Sequence, residues 1–280
     1  MEKVTPLAVI TDLNSALGTH EGMVGKNNED SLGFYAWQAA EQTLYMGIVA
    51  DGVGGQTAGE TASLMAVEII ADHFANLPTL SENDLLHHMS TAIREANHQV
   101  YERALHDDEL QGMATTVVVA AVMNNRLYTS HVGDSRIYLL RGGAFYQLTT
   151  DHSWVQEAVS AGLLTADQAR HHPNKNVIRR SLGGMTDVEV DQRLKPNPEL
   201  QRDQGLPLFP QDIVLLCSDG LTDMIDDDVV QQSLEMHRDD LETAVDDLID
   251  KANAAGGRDN ISVVLMQIPG DASAPPVPEP

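Results

Sequence analysis

Short apolar runs, rich in valine and isoleucine and bounded by glycine or aspartate, recur along this chain. Three of them lie at residues 45–50, 213–218 and 261–268. Runs of this length and composition are typical of strands buried inside a domain. We therefore predict three buried strands from distant parts of the sequence, each with an aspartate at or near one end.

The middle of the chain predicts a meander of four further strands, at residues 115–122, 126–131, 136–140 and 144–148. Asn124-Asn125 and Gly142-Gly143 separate neighbouring members of this set. Both pairs are compatible with tight turns, because asparagine and glycine tolerate left-handed backbone conformations. The strands of the meander are therefore expected to be joined by hairpins.

Apolar residues spaced three and four positions apart predict three amphipathic helices. The first spans residues 58–75, the second follows Ser81, and the third lies near residues 240–254. Ser81 with Asp84 matches an acidic variant of the capping box that starts many helices. Strand meanders flanked by long amphipathic helices favour sheets covered by helices, in an α+β organisation.

Residues 150–184 interrupt this pattern with two short helical fragments and no strong strand signal. A polar segment of this length inside a domain is usually a functional lid or a disordered insertion, and the helical fragments favour the lid. Residues 269–280 form a proline-rich run, which predicts an extended, unpacked tail. Such a tail is equally consistent with a linker and with a natural C-terminal tail.

Composition is consistent with one compact domain over residues 1–268. The chain of 280 residues is 42% hydrophobic and 21% charged, which is ordinary for a globular protein with a sizeable core. Its formal net charge of −25 is not ordinary. This acidity excludes nucleic acid as a partner, because phosphate backbones are bound through lysine and arginine.

The single cysteine, Cys217, excludes an internal disulfide and fits a reducing cytoplasm. It lies in an apolar run, so we expect a small core residue. No arginine occurs in residues 218–225, which excludes the mechanism of phosphatases with a cysteine nucleophile. The chain shows neither a basic and apolar leader nor an apolar run near the roughly 18 residues of a spanning helix, so we expect a cytoplasmic protein without a membrane span.

The eleven histidines match no metal-binding motif. There is no His-Glu-x-x-His sequence, and His87-His88 and His171-His172 are adjacent pairs that do not share one helix face. We expect the histidines, His152 among them, at the surface. Arg136 is expected to fix an acidic neighbour through a fork of hydrogen bonds.

Three aspartate-containing pairs lie at or beside the ends of the buried strands: Asp51-Gly52, Asp219-Gly220 and Asp259-Asn260. A lone Asp-Gly pair is usually only a turn. Three carboxylates held on rigid strands can instead converge on hard divalent cations, which prefer oxygen ligands. Such a set favours Mg²⁺ or Mn²⁺, whereas zinc would require histidine or cysteine.

Nine short segments occur in order: Gly22-Met-Val-Gly-Lys-Asn-Asn-Glu-Asp30, Val49-Ala-Asp-Gly-Val-Gly-Gly55, Ala58-Gly-Glu-Thr-Ala-Ser63, Gly112-Met-Ala-Thr-Thr116, Val132-Gly-Asp-Ser-Arg136, Leu148-Thr-Thr-Asp-His-Ser153, Arg180-Ser-Leu-Gly183, Cys217-Ser-Asp-Gly-Leu-Thr222 and Arg258-Asp-Asn-Ile-Ser262. With them the chain resembles the bacterial branch of the metal-dependent, type 2C serine/threonine protein phosphatases. The resemblance extends from about Leu13 to Ile268.

The resemblance implies a four-layer α-β-β-α sandwich, in which two stacked antiparallel sheets lie between helices, with a mobile flap at about residues 151–184. It also implies that Asp51 bridges two core ions, with the carbonyl of Gly52 on one ion and Asp219 and Asp259 on the other. These three aspartates are then the catalytic set. Two cations so held activate a water and clamp the attacking and leaving oxygens of a phosphate monoester.

The same resemblance assigns supporting residues. Asp134, together with Asp219, matches a site for a third and weaker metal ion beneath the flap. Glu29, Asp30 and Asn260 match positions that hold metal-coordinated water. The expected cofactors are thus two core Mn²⁺ or Mg²⁺ ions and a third weaker one.

The chain departs from the family pattern where the substrate phosphate is bound. Gly25 stands where most active members carry an arginine that grips this phosphate, and Lys26 beside it is the candidate replacement. Val53 stands where animal members have a histidine, and bacterial relatives also have an apolar residue at that position. Gln56 replaces a histidine that is frequent after the two glycines. Loss of the arginine puts substrate affinity in question.

Two functions follow from these features. The first is a phosphoserine/phosphothreonine phosphatase, monomeric, whose substrates are phosphoproteins made by a bacterial serine/threonine kinase. The alternative is a metal-binding regulatory pseudophosphatase that acts by binding a partner. Retention of every metal-binding acid favours the first, and Gly25 favours the second.

Overall fold

Two antiparallel sheets, each covered by helices on its outer face, make up the architecture. The computed structural model describes residues 5–6, 13–39, 42–54, 58–197, 199–200 and 203–270. The strands are β1 (Thr5–Pro6), β2 (Asn14–His20), β3 (Asp30–Ala39), β4 (Gln42–Val53), β5 (Ala114–Thr115), β6 (Val117–Met123), β7 (Arg126–Val132), β8 (Arg136–Arg141), β9 (Ala144–Gln147), β10 (Leu206–Pro207), β11 (Ile213–Cys217) and β12 (Ile261–Gln267). The helices are α1 (Ala58–Ala75), α2 (Leu85–His106), α3 (Trp154–Ser160), α4 (Ala166–Arg170), α5 (Asp219–Thr222), α6 (Asp227–Met236) and α7 (Leu241–Ala254), with short 3-10 helices at Glu82–Asp84 and Asp108–Leu110.

The first sheet has the strand order β1-β3-β4-β6-β7-β10, with β5 paired to the end of β4, and the second has the order β2-β12-β11-β8-β9. The pairings of neighbouring strands in the described part of the chain are all antiparallel. Helices α1 and α2 pack on the outer face of the first sheet, and α6 and α7 pack on that of the second. The predicted α+β fold, a four-layer α-β-β-α sandwich, is confirmed.

Strand β6 shows why the central strands are apolar at every position. Val117 and Val119 pack toward α1 and α2, whereas Val118 and Ala120 pack toward the second sheet. Because successive side chains of a strand point to opposite faces, a strand between two apolar layers needs an apolar residue at each position. Cys217 of β11 is fully buried against the helical layer of the second sheet, as predicted for a core cysteine.

The predicted hairpins are confirmed. The φ angles are 53° and 54° at Asn124 and Asn125, and 56° and 82° at Gly142 and Gly143. Two successive residues with positive φ form the tight turn whose twist matches that of the flanking strands. The four predicted strands are present, with the segment at 115–122 divided between β5 and β6. The single meander is wrong, because β6 and β7 belong to the first sheet and β8 and β9 to the second.

The start of α2 differs from the prediction. The Ser81 hydroxyl accepts a hydrogen bond from the N–H of Asn83 (3.2 Å), and this begins a 3-10 turn rather than the helix itself. Helix α2 starts after that turn, and Asp84 at its N-terminus makes no side-chain cap. The predicted capping box is therefore wrong, because the chain inserts one tighter turn between Ser81 and the helix.

Residues 151–184, the predicted flap and called the flap below, contain α3 and α4 where two helical fragments are predicted. Ser153 caps α3 by accepting from the N–H of Gln156 (3.3 Å), and Thr165 forms a capping box with Gln168 at α4. The N–H of Arg179 donates to the carbonyl of His152 (2.7 Å) and ties the two ends of the flap together.

In the part of the chain that the structure describes, no helix is both long enough and apolar enough to cross a membrane. Gln56 and residues 271–280, which make up most of the proline-rich run, lie outside the described residues.

Candidate metal centre

Asp51 lies near the end of β4, directly opposite Asp30 of β3. Its backbone is held at three points. The N–H of Thr116 donates to the Asp51 carbonyl (2.8 Å), the Thr115 hydroxyl donates to the same oxygen (2.9 Å), and the Asp51 N–H donates to Thr116 Oγ1 (3.1 Å). The junction of β5 and β6 therefore fixes the position from which the carboxylate projects.

Gly52 has no room for a side chain. A Cβ built there would lie 2.5 Å from the carbonyl oxygen of Glu29 and nearer still to that of Gly59. The Gly52 N–H donates to the same Glu29 oxygen (3.2 Å). The Asp-Gly pair is thus part of a strand rather than a turn, and its glycine allows β4, the chain before β3 and the start of α1 to approach one another.

Asp219 and Asp259 come from the second sheet. Asp219 begins α5 just after β11, and Asp259 lies just before β12. A side chain on Gly220 would overlap the carbonyl oxygen of Asn260, so these two loops touch through their backbones. The hydroxyl of Ser218, which directly precedes Asp219, donates to Asp30 opposite Asp51, so acids from the two sheets meet at one end of the sandwich.

The structure brings five aspartates into one group, here called the carboxylate cluster: Asp30, Asp51, Asp134, Asp219 and Asp259. Burial is the main cause that raises the pKa of Asp51 well above its ordinary value, and neighbouring acids add to it. Burial also raises the pKa of Asp219, that of Asp30 to about 6 and that of Asp134 to about 7. Cations would neutralise a cluster in which the carboxylates oppose one another's ionisation.

Two oxygens of this cluster lack a hydrogen-bond donor. Oδ1 of Asp30 and Oδ1 of Asp134 are buried, and neither has a partner among the described residues. The other oxygen of Asp30 accepts from the Ser218 hydroxyl (2.7 Å). A buried acceptor without a donor costs about 1–3 kcal/mol, and a cation or an ordered water would remove that cost. The all-oxygen donor set fits Mg²⁺ or Mn²⁺.

Asn260 braces the loop before β3. Its Oδ1 accepts from the N–H of Glu29 (2.8 Å), and its Nδ2 donates to the carbonyls of Glu21 (3.1 Å) and Asn27 (3.0 Å). The amide is therefore engaged with backbone groups. These contacts fix the loop that carries Glu29, and they hold Glu29 near Asp259. The sequence pattern does not reveal this role of Asn260.

Lys26, the candidate phosphate ligand, lies against the carboxylate cluster. Its Nζ donates to Asp259 Oδ1 (3.1 Å), and the two side chains are 55% and 47% exposed. Gly25 beside it has a φ of 72°, and a Cβ there would meet nothing within 4 Å. An arginine at Gly25 would thus have space but would strain the backbone.

His131, His152 and Asp191 form a buried group, so the prediction that the histidines lie at the surface is wrong here. The two histidines are 1% and 7% exposed, and burial lowers the pKa of His131 to about 4. One ligand atom from each of the three residues lies within 4.8 Å of the others. The rings are stacked 4.7 Å apart at 13°, however, and nearly parallel rings do not direct their in-plane lone pairs at one ion.

Hydrogen bonds account for this group. The N–H of Gly133 donates to His152 Nδ1 (3.1 Å), and Arg193 donates to both oxygens of Asp191 (2.9 and 2.6 Å). His152 lies between these two contacts, with its Nε2 3.5 Å from Asp191 Oδ2. Because Gly133 directly precedes Asp134, the network anchors the loop that carries Asp134. The predicted strand at 126–131, which follows the wholly apolar β6 after a tight turn, is the sequence signal that could have indicated the burial of His131.

Arg136 begins β8, just after the loop of Asp134. Its Nε and Nη2 donate to the two carboxylate oxygens of Asp151 (3.1 and 2.7 Å). The predicted fork to an acidic neighbour is confirmed.

Comparisons with known proteins agree with this geometry. A family model described as Protein phosphatase 2C matches residues 17–265. The serine/threonine phosphatase stp of Listeria welshimeri is 35% identical over 256 residues, which are 91% of this chain and 96% of that protein. The structure of the S. agalactiae serine/threonine phosphatase is similar, with 33% identity, a TM-score of 0.81 and coverage of 91% of this chain and 99% of the other.

A second solved structure is similar and contains metal. It is the catalytic domain of the serine/threonine protein phosphatase PstP in complex with two manganese ions. It is 30% identical to this chain, with a TM-score of 0.75 and coverage of 92% of this chain and 99% of the other.

Proposed function

The chain belongs to the protein phosphatase 2C family, and from that premise we propose that it is a protein serine/threonine phosphatase that uses Mn²⁺ or Mg²⁺ to hydrolyse phosphoserine and phosphothreonine esters. The observation that carries the proposal is the carboxylate cluster, drawn from both sheets, with two buried oxygens that lack donors. The similar proteins named as serine/threonine phosphatases support the substrate class, and the two manganese ions of PstP support the metal.

Each member of the cluster has a proposed place. Asp51 would be shared by two core ions, with the carbonyl of Gly52 on one of them and Asp219 and Asp259 on the other. Asp134, together with Asp219, would hold a third and weaker ion. When bound, these cations supply an activated water and neutralise charge on the attacking, transferred and leaving oxygens.

The surrounding residues hold these ligands in place before a substrate arrives. Thr116 fixes the backbone of Asp51, so that its carboxylate needs little reorganisation. The Ser218 hydroxyl donates a hydrogen bond to one carboxylate oxygen of Asp30. The other oxygen is left free to accept a hydrogen bond from a water molecule. Glu29, positioned through Asn260, would accept from water in the same way.

Lys26 is the proposed contact for the substrate phosphate. Its ammonium lies on Asp259, and engagement of that carboxylate by a cation would release Lys26 for another anion. A lysine offers a flexible point charge, whereas an arginine offers a rigid fork of two parallel hydrogen bonds. The phosphate should therefore be held less tightly than in relatives that carry the arginine.

We further propose a single catalytic domain over residues 1–268 that works as a cytoplasmic monomer on phosphoproteins made by a bacterial serine/threonine kinase. The pseudophosphatase alternative is not favoured. Every metal-binding acid that the resemblance assigns is present, and the structure gathers the aspartates in one cluster.

Phosphate release from a phosphothreonine peptide tests the proposed function. We expect release in the presence of Mn²⁺, its loss with EDTA, and its return with excess Mn²⁺. No release at saturating Mn²⁺, while calorimetry shows that Mn²⁺ binds, would contradict the enzymatic function and favour the regulatory alternative. Release that persists unchanged in EDTA would contradict the metal mechanism.

A further inference from the structure

A cavity of about 290 Å³ lies beneath the flap, between α3 and α4 on one side and the body of the domain on the other. Its walls include Asp134 and Asp219 of the carboxylate cluster. The volume is near the lower limit of ligand pockets, so it suits one side chain rather than a whole peptide. A group that occupies this cavity would therefore be close to the proposed site of phosphate hydrolysis.

The cavity is rich in cations for so acidic a protein. The whole chain has 17 lysines and arginines and a net charge of −25, yet four basic side chains line this one cavity: Arg136, Arg170, Lys175 and Lys195. Five aspartates line it as well, but each is already committed: Asp134 and Asp219 are proposed metal ligands, Asp151 and Asp223 are paired with Arg136 and Lys175, and Asp227 accepts from the Tyr138 hydroxyl (3.2 Å). Three of the four basic side chains are paired with carboxylates: Arg136 with Asp151, Arg170 with Asp226 and Lys175 with Asp223. The fourth, Lys195, is not.

Lys195 is a partly buried ammonium with spare donors. Its Nζ donates to Gln147 Oε1 (2.7 Å), and no carboxylate of the described residues lies within ion-pair distance of it. The nearby Asp151 is already engaged by Arg136 and by Gln147 Nε2 (3.0 Å). An ammonium has three N–H donors, so two of them remain for a ligand.

The position of Lys195 is fixed by the fold. Its backbone N–H donates to the carbonyl of Leu148 (2.8 Å), which holds the segment against the end of β9. Burial away from water lowers the pKa of the Lys195 ammonium, which is the direction expected for a cation that lacks a close counter-charge. A bound anion would replace the lost water and supply that counter-charge.

We propose that this cavity is a subsite for an acidic side chain of the substrate, and that Lys195 is the residue that selects it. The inference rests on the proposed phosphatase function. The shared chemistry is an anionic group, either a carboxylate or a second phosphate, a few residues from the phosphothreonine that is hydrolysed. The cavity shares Asp134 and Asp219 with the carboxylate cluster, so both groups can belong to one peptide.

The test compares phosphothreonine peptides that differ at one flanking position. This position carries glutamine, glutamate or a non-hydrolysable phosphonate analogue of a second phosphothreonine, and it is moved in turn to each of three positions on either side. Wild type should show a kcat/KM about threefold to tenfold higher for the acidic peptide at one or more positions, mainly through KM. This preference should weaken between about 0.05 M and about 0.5 M salt, because a partly exposed ion pair is screened.

Lys195→Gln removes the charge and should reduce the ratio of acidic to neutral kcat/KM toward one. Lys251→Gln is the matched control, because it makes the same change of charge on α7, where Lys251 pairs with Asp247 outside the cavity. It should keep the preference. A preference for the glutamate peptide would identify the cavity as a general subsite for anions, carboxylates included. A preference shown only by the peptide with the phosphonate group would identify it as a phosphate subsite.

Equal kcat/KM for all peptides, a preference that survives Lys195→Gln, or a preference in wild type that high salt leaves unchanged would overturn the inference. Phosphate release from the neutral peptides would still support the proposed function in each of these cases. Release from none of the peptides would overturn the proposed function, and the subsite with it. The salt dependence is measured on wild type, so the inference stays testable even if Lys195→Gln fails to fold.

Discussion

Replacing Asp134 with asparagine should stabilise the metal-free protein at neutral pH. Asp134 is 7% exposed, and burial, followed by repulsion from Asp151, raises its pKa from 3.8 to about 7. A carboxyl group whose pKa is raised by folding destabilises the folded state progressively as pH rises from the unfolded to the folded pKa. Asparagine has nearly the same shape and no charge, so it removes this penalty.

The size of the effect follows from the same shift. A rise of about 3 pKa units corresponds to at most about 4 kcal/mol at pH 7.5 and to about 2 kcal/mol at pH 5, since each unit is worth about 1.4 kcal/mol. Relaxation of the loop and entry of water reduce both figures. We therefore expect Asp134→Asn to raise the free energy of unfolding by about 1–2 kcal/mol at pH 7.5, and by less at pH 5.

Urea unfolding of both proteins in EDTA at the two pH values measures this difference. Adding Mn²⁺ should then stabilise wild type more than the variant, because the variant has lost one proposed ligand. Turnover on phosphopeptides should fall in the variant while binding of the two core ions persists. A variant less stable than wild type at pH 7.5, or a gain equal at both pH values, would refute the charge-burial argument. Loss of all metal binding in calorimetry would place Asp134 in the core site.

Five further substitutions, at four residues, test the site. Asp51→Asn should remove nearly all activity with the fold intact, because it deletes the proposed shared ligand; activity within about tenfold of wild type would contradict this role. Gly52→Ala should lower the free energy of unfolding by about 3 kcal/mol in urea titrations, because the new Cβ meets fixed carbonyl oxygens; an unchanged midpoint would show that the backbone can yield. Lys26→Ala should raise KM for p-nitrophenyl phosphate at saturating Mn²⁺, and Lys26→Arg should lower it by up to about tenfold. Gly25→Arg should gain less, since its φ of 72° costs about 1–2 kcal/mol for a residue with a side chain, and an unchanged KM in the Lys26 variants would place the phosphate elsewhere.

The elements with a strong local signal could be predicted from the sequence. Strands β4, β6 and β11 are buried on both faces, so their apolar runs stand out, and α1, α2 and α7 show the helical period. Strand β2 could not be predicted in this way, because it is an edge strand whose outward residues face water. It is held by β12, from the far end of the chain, and no local pattern carries that information.

The residues of the candidate site likewise fall into those that could be predicted from the sequence and those that could not. The aspartates lie beside recognisable strands, so motif and pattern find them. The contacts that position them join residues distant in sequence, such as Ser218 with Asp30 and Asn260 with Glu29. Lys195 lies in a segment without a motif, and its importance depends on which carboxylates are already engaged by other cations. Such roles follow from tertiary packing and cannot be seen in one sequence.

The central place of β12 determines when a newly made chain can acquire its metal-binding acids. Ile261 pairs with His20 on one side and the strand pairs with β11 on the other, so the second sheet closes only when the last strand is inserted. A chain still held on the ribosome before residues 261–267 emerge has no rigid support for Asp259. Closure over so long a separation is slow. A product cut short before Asp259 loses this acid and an interior strand of the second sheet together, so it would form neither the closed sheet nor the complete carboxylate cluster.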